Sequence, residues 1–410
     1  MPTFPSVDDQ LRHVLRGAVD VIDEADLRKR LEKSAASGKP LRVKLGVDPS
    51  SPDLHLGHTV QMRRLRAFQD MGHQAVLIIG NYTAMVGDPS GKNKTRPQLT
   101  EAEVEANAQT YLAQAGKVLD LARVEMRRNG EWFAGMSFME VLRLCARSTA
   151  SQMLEREDFH ARFDSEQPIS LHEFVYPLMQ GWDSVVIKAD IELGGTDQLF
   201  NLLMGRRLQE QEGQQRQVCI TGPIIEGLDG VQKMSKSLGN AIAINAEPND
   251  MFGKVMSIPD ALMPGWFTQL TRIPESEIST LCDPATTHPR DAKLKLAGLI
   301  TAEMHGQVAA DAGREAFLST FSKGELPADM PEKVIDLQDG KIQAWALVRQ
   351  AHVGSGSDAR RVVQQGGARL VNPADNSETA LSEKAELTAT DLAGKVLKVG
   401  KRNFYRLQVR

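Results

Sequence analysis

Two histidines, His55 and His58, bracket Leu56 and Gly57 in the stretch DLHLGH, residues 53–58. Three apart, they stand on one side of a helical turn. There, imidazoles could hold a metal, move a proton, donate to a phosphate or simply pack. A metal needs a third ligand and usually an i, i+4 pair, which this stretch does not supply. Packing is a poor account beside the Pro-, Ser- and Asp-rich PSSPD (49–53) that runs into them. Far downstream, GLDGVQKMSKSLGN (227–240) sets Lys233 and Lys236 around Met234 and Ser235, with Gly230 and Gly239 on either side. Glycines let such a loop change shape. Two ammonium groups on it can close over a polyphosphate and neutralise charge on a leaving group. A lone K-x-x-K, by contrast, is usually no more than an exposed basic loop. A third cluster lies in YPLMQGWD (176–183), where Pro177 suits the first turn of a helix. Tyr176, Gln180 and Asp183 then fall at i, i+4 and i+7, three polar groups on a stripe that should be apolar. They form either a binding site or a capping and buried hydrogen-bond network.

The elements that must position these residues read as α/β. Residues 7–37 read as helical and charged, LRVKLGVD (41–48) as a buried strand, LHLGHTVQMRRLRAFQDMG as a helix and QAVLIIGN (74–81) as a second strand. Strand, loop, helix and strand within forty residues describe a parallel β-α-β unit. Further strand signals lie in 183–209 and in QVCITGPIIEG (217–227). Ligands of such sheets sit beyond the carboxyl ends of the strands, where DLHLGH falls. Residues from about 92 to 175 read as a mostly helical insertion, and helical patterns run from about 241 to 322. KGELPADMPEK (323–333), with two prolines, reads as a linker. No G-x-G-x-x-G follows a strand, so nicotinamide or flavin chemistry lacks support. GDPSGKNK (87–94) fails as a Walker motif: Gly87 to Gly91 is one residue short, and Asn93 stands where Ser or Thr should meet magnesium.

Composition narrows the class. The chain has 410 residues, 41% hydrophobic and 25% charged, which suits a folded protein of two or three domains. Cys145, Cys219 and Cys282 have no paired spacing, so neither a disulfide framework nor a cysteine zinc site fits. No apolar run matches a membrane span, and MPTFPSVDDQLRHVL lacks a basic segment followed by an apolar one, which leads to an expectation of a cytoplasmic protein. The net charge of −4 hides an asymmetry. From Gln343 to Arg410, eleven Lys and Arg stand against six Asp and Glu, which leaves −9 on the first 342 residues. A basic terminal module suits nucleic acid, although a surplus of this size also fits a solvated face.

HLGH and KMSKS, in this order, resemble the signature of the class I aminoacyl-tRNA synthetases, whose first motif opens a helix and whose second follows the last strand. In that family both grip ATP. A helix N-terminus offers N–H groups and a positive dipole end to an anion. His55 and His58 add side-chain donors, and Gly57 lets adenine or ribose lie against the backbone. YPLMQGWD resembles the tyrosine-binding helix of the tyrosyl-tRNA synthetases. That likeness gives Tyr176 and Gln180 to the substrate ammonium and Asp183 to the phenol hydroxyl, with Asp88 of GDPSGK as a further ammonium partner. GGTDQ (194–198) resembles the family's ribose turn, with Asp197 on the sugar hydroxyls and Gln198 near the reacting carboxylate. Asp48, Ser50 and Ser235 join His55, His58, Gly57, Lys233 and Lys236 in the ATP set. Ser50 stands where many members have Thr. Lys44 stands where one branch of the family has a second, tyrosine partner for the phenol. Trp182 has no evident role.

SGSDARRVVQQGGARLVN (355–372) resembles the small RNA-binding fold named after a ribosomal small-subunit protein. In it Ser357 caps a helix that exposes Arg360 and Arg361, and Lys401 and Arg402 add charge on the closing strands. The resemblance runs from about Val43 to the end of the chain. It implies a Rossmann-like catalytic domain over 1–240, a helical anticodon-binding domain over 241–322, a linker over 323–342 and a small α+β RNA-binding domain over 343–410. It also implies ATP with Mg²⁺ as substrate, no tightly bound cofactor, no metal ligands, and tyrosine and its tRNA as partners. A homodimer with the insertion in its interface is implied too. A tryptophan-specific relative, another H-x-G-H nucleotidyltransferase and a catalytically idle RNA-binding relative are the alternatives.

Overall fold

The computed structural model describes residues 4–90, 99–322, 326, 330–352, 354–400 and 403–410. Six strands build the first sheet: β1 (Val21–Ile22), β2 (Arg42–Val47), β3 (Gln74–Ile79), β4 (Val124–Arg128), β5 (Ile191–Gly195) and β6 (Val218–Gly222). Their order is β1-β6-β5-β2-β3-β4. The apolar runs of β2 and β3 are buried on both faces, as central strands of a helix-covered parallel sheet must be. They pair in parallel from Arg42 opposite Gln74 to Val47 opposite Ile79. The chain builds outward through β3 and β4, then returns to the other side of β2 to lay down β5 and β6. Three helices carry the candidate residues: α1 (Leu56–Asp70), α2 (Leu171–Ile187) and α3 (Leu199–Gln211). α1 buries Val60, Met62, Leu65 and Phe68 against the sheet. α2 and α3 cross closely because each has a glycine at the contact. A Cβ on Gly181 would come within 3.0 Å of the Gly205 nitrogen, and one on Gly205 within 2.5 Å of the Gln217 amide.

Several sequence expectations change. Residues 7–37 do not form one helix: Val7–Leu15 and Glu24–Ser37 are separated by β1, which closes the sheet edge antiparallel to β6. Gly17, at φ +57°, turns the chain, and Asp23 caps the second helix. The insertion contains an edge strand, β4, whose sequence VEMRR hides it. Edge strands carry charges, here paired across the sheet as Arg42–Glu125 at 2.7 Å. Pro177 is interior to its helix, because the helix starts at a capping box of Ser170 and Glu173, with its N-cap seven residues upstream. The proline takes the place of a donor to the Glu173 carbonyl. Finally, Ser355 and not Ser357 caps the helix Gly356–Gln364, accepting the Asp358 N–H at 3.2 Å.

After β6 come the helices Pro248–Met256, Met263–Leu270, Glu275–Cys282 and Pro289–His305, around the buried Phe252, Trp266, Phe267 and Ile300. The chain divides into two compact units, 1–310 and 311–410. The second has a five-stranded sheet ordered β10-β9-β12-β13-β7, made of β7 (Glu332–Ile335), β9 (Ala368–Val371), β10 (Glu378–Ala380), β12 (Val396–Val399) and β13 (Asn403–Val409). A small pair joins β8 (Lys341–Gln343) and β11 (Glu386–Thr388). β7 arises within the 323–342 stretch read as a linker and pairs in parallel with β13.

Candidate active site

Strand order reverses between β2 and β5, and beyond their carboxyl ends lies a cleft of about 630 Å³. The loop after β2 brings Asp48 and Ser50 to it, and the start of α1 brings His55, Gly57 and His58. Asp88 follows β3, and α2 supplies Tyr176, Gln180 and Asp183. The turn after β5 adds Asp197 and Gln198, and the segment after β6 adds Lys233, Ser235 and Lys236. Every ATP and tyrosine candidate therefore lines one cleft. Of the GDPSGKNK stretch, Gly91–Lys94 lie outside the described residues. A second cavity of about 720 Å³, further along α1, is lined by Arg12, Arg16, Arg63, Arg64 and Arg272 and contains none of these candidates. Ion pairs to Asp9, Glu303 and Asp70 neutralise three of its guanidiniums.

At the cleft mouth the two imidazoles touch, their centroids 3.9 Å apart. His58 Nδ1 accepts the His55 N–H at 3.1 Å, so its proton sits on Nε2. Desolvation by the cleft walls, then the neighbouring His58 ring and the Lys236 ammonium, hold His55 down to about 3. Desolvation leads the lowering of His58 as well, although that ring stays open to cleft water. Both are neutral donors near pH 7, not cations. The helix terminus is less open than a bare one, because the Leu56 N–H donates to the Ile242 carbonyl at 3.0 Å and that of His58 to the His55 carbonyl. Gly57 has a local reason for its identity: a Cβ there would lie 3.0 Å from the His55 ring.

The KMSKS segment is anchored by Met234, which is buried and donates its N–H to the Ile225 carbonyl at 2.9 Å. Ser235 N–H donates to Asn240 at 2.8 Å. Lys236 reaches across to Asp53, 3.4 Å from its carboxylate, and donates to Ser51. The two signature stretches thus meet directly, through Lys236, Asp53 and Ser51.

Deeper in the cleft, the Tyr176 hydroxyl donates to Asp48 at 2.8 Å, and Thr83 donates to the other Asp48 oxygen at 2.7 Å. Burial, then Asp48, push the Tyr176 phenol well above its ordinary range, so it stays a donor. Gln198 donates to Asp88 at 2.9 Å. Burial, then Asp88, raise Asp197. Asp183, at the floor, accepts from Trp132 Nε1 at 3.0 Å and from Asn129 at 3.4 Å. Burial lifts it to about 7 against the opposing charge of Lys44.

Trp132, Asn129 and Glu192 were not singled out from the sequence, and Lys44 only as the place of an absent second phenol partner. The first two stand just after the concealed edge strand β4. The buried Arg156, which donates to Ser90 at 2.6 Å beside Asp88, was missed as well. Its run of helical context gives no sign of burial. Trp182 packs with the apolar cluster behind α2, under the Arg147 guanidinium at 5.7 Å. In the second unit Arg360 stacks on Trp345 at 4.3 Å, and Arg361 pairs with Asp358 at 2.7 Å. Lys401 and Arg402 lie outside the described residues.

Sheet order, switch-point cleft and paired motifs define a class I aminoacyl-tRNA synthetase. A family model described as tRNA synthetases class I (W and Y) matches residues 36–322. A tyrosine–tRNA ligase of Symbiobacterium thermophilum is 50% identical over 408 residues, 98% of each chain. One of Moorella thermoacetica is 48% identical over 402 residues, 97% of this chain and 95% of that one. A C-terminally truncated mitochondrial tyrosyl-tRNA synthetase of Aspergillus nidulans shares the fold, with a TM-score of 0.64 at 24% identity over 77% of this chain and 94% of that chain. The chain belongs to the tyrosine–tRNA ligase family.

Proposed function

We infer that this tyrosine–tRNA ligase makes tyrosyl-adenylate in the cleft at the β2–β5 switch point, then passes tyrosyl to its tRNA. A tyrosine carboxylate oxygen attacks the α-phosphorus of ATP, the bond to the bridging oxygen breaks, and pyrophosphate leaves. A hydroxyl of the terminal tRNA ribose then attacks the tyrosyl carbonyl and AMP departs. No side chain is a covalent nucleophile; the protein positions the reactants and stabilises charge. Asp183 accepts from the phenol, held by Trp132 and Asn129. Gln180 gives its amide N–H to Glu192 at 3.3 Å, which leaves its oxygen for the substrate ammonium, beside Tyr176 and Asp88. Asp48 orients Tyr176. Asp197 takes the ribose, with Gln198 beside the reacting carboxylate, while Ser50, Gly57 and Ser235 border the nucleotide. His55 and His58 donate as neutral rings, and Lys233 and Lys236 supply positive charge to the departing phosphates. Magnesium enters with ATP as its phosphate counter-ion.

What carries the reading is the convergence of these residues, drawn from six separate stretches of chain, on one cleft. Pyrophosphate exchange into ATP, run with each of the twenty amino acids, tests it. Tyrosine alone should support exchange; exchange with tryptophan, or with none, would overturn it.

We also propose that helices 241–322 meet the anticodon and that the basic module after residue 342 binds tRNA through Arg360, Arg361, Lys401 and Arg402. A cytoplasmic homodimer completes the reading. Its support is the helix Phe138–Cys145 within the insertion, where Phe138, Met139 and Leu142 are 74%, 56% and 44% exposed. An exposed apolar stripe of that kind marks an interface.

A further inference from the structure

We propose that the buried pair Lys44–Glu192 is a positioning and specificity-determining device beneath the tyrosine pocket. It locks α2 against β2 and β5, and it places a cation behind Asp183 so that this residue meets the phenol as a carboxylate. The proposal rests on the reading of Asp183 as the phenol acceptor.

Lys44 and Glu192 are direct partners in the β2–β5 register, at the strand reversal where the cleft forms. Their side chains are 0% and 1% exposed, with Nζ 2.9 Å from Oε1. A buried ion pair is tolerated only when its remaining hydrogen-bonding capacity is filled, and an apolar pair of similar volume often serves stability as well or better. Here the capacity is filled. The three donors of Lys44 go to Glu192, to the Gln180 carbonyl at 2.9 Å and to Ser184 Oγ at 2.8 Å. Glu192 accepts in addition from Ser184 at 2.9 Å, from Gln180 and from the Gln217 amide. The pair thus holds α2 at Gln180 and Ser184, the residues that straddle Asp183. Stability alone does not account for a network aimed at those two positions.

The charges around Asp183 point the same way. Lys44 acts on it from β2 and Glu192 from β5, with Tyr176 on its own helix and Asp48 and Asp88 lining the same cleft. Trp132 and Asn129 contribute only neutral N–H donors. Lys44 therefore opposes both burial and the Glu192 carboxylate. Without it, Asp183 is protonated over more of the neutral range. A protonated Asp183 accepts poorly from a phenol, and it is less penalised when phenylalanine leaves it unpaired.

The test is the ratio of kcat/KM for tyrosine over phenylalanine in pyrophosphate exchange, followed against pH. Lys44→Met alone could strand Glu192, so the double variant Lys44→Met/Glu192→Gln removes both charges and keeps the volume. In the wild-type protein the ratio should fall as pH drops through the titration of Asp183. In the double variant that fall should begin at higher pH, with the ratio near neutrality reduced roughly tenfold and partly recovered in alkali. A uniform loss for both amino acids at every pH, with the fall unmoved, would reduce the pair to scaffolding and overturn the proposal. Asp183→Asn separates the two ideas. If it leaves the ratio intact, the phenol reading is wrong. If it collapses the ratio while the double variant does not, only the role of Lys44–Glu192 fails.

Discussion

Lys236 and Asp183 carry the sharpest expectations at the level of single residues. Lys236 already lies against the loop beside His55 and His58, which supports its proposed role on the departing pyrophosphate. Lys236→Ala should slow adenylate formation by roughly 2–4 kcal/mol of transition-state stabilisation. Tyrosine affinity, measured by equilibrium dialysis, should hardly change; a variant that adenylates normally but binds tyrosine weakly would reverse the assignment. Asp183 has a stability signature. Its folded pKa is raised to about 7, so the penalty for ionising it is absent below its unfolded value and grows as pH rises toward the folded one. Asp183→Asn should therefore be more stable than the wild type at about pH 8, by on the order of a few kcal/mol, and equal to it near pH 4. Thermal or urea unfolding at the two pH values checks this. Equal stability at both would mean that Asp183 is already well compensated in the free protein.

Between elements, the contact of α2 with α3 is the vulnerable joint, because it leaves no room for a methyl group. Gly181→Ala would press a Cβ onto the Gly205 nitrogen and the Met204 carbonyl carbon, 3.0 and 3.1 Å away. Backbone on both sides cannot give as a long side chain would. The expected loss is about 1–3 kcal/mol in denaturant unfolding. KM for tyrosine should rise with it, since Gln180 and Asp183 flank the joint. A stable variant with unchanged KM would show that the helices can part without disturbing the pocket. The edge strand β4 matters in the same way. It is short and charged, yet the turn after it delivers Trp132 and Asn129 to Asp183.

For the whole chain, charge and burial separate two tasks. The motif residues lie before residue 241, and the basic surplus lies after 342. Because β7 starts at Glu332 and belongs to the second sheet, the truncation falls at the end of the helix Gln307–Ser322 and not within the 332–343 stretch. The shortened protein should keep tyrosine-dependent pyrophosphate exchange and lose most tRNA charging. Raising salt should weaken tRNA binding more steeply for the full chain than for the truncated one. Equal salt slopes would return the terminal charge to a solvated face. Leu142→Asp, placed in the exposed apolar stripe, should yield a monomer in light scattering if the insertion forms the dimer contact; an unchanged mass would move the interface elsewhere.

Local chemistry was legible in the order of residues. DLHLGH and KMSKS name their own kind of site, the apolar runs of β2 and β3 could only be central strands, and i, i+4, i+7 spacing put Tyr176, Gln180 and Asp183 on one face wherever the helix began. Misplacing the helix start at Pro177 did no harm, because periodicity does not depend on the cap. What could not be read were relations between distant segments. Lys44 reads only as a missing phenol partner until β5 sets Glu192 beside it, and Trp132 joins the proposed tyrosine pocket only because a charged edge strand aims it at Asp183. Periodicity and capping act within a few residues, so they can be read along the chain. Burial, register and ion pairing join segments from about fifty to well over a hundred residues apart, and they exist only once the chain has folded.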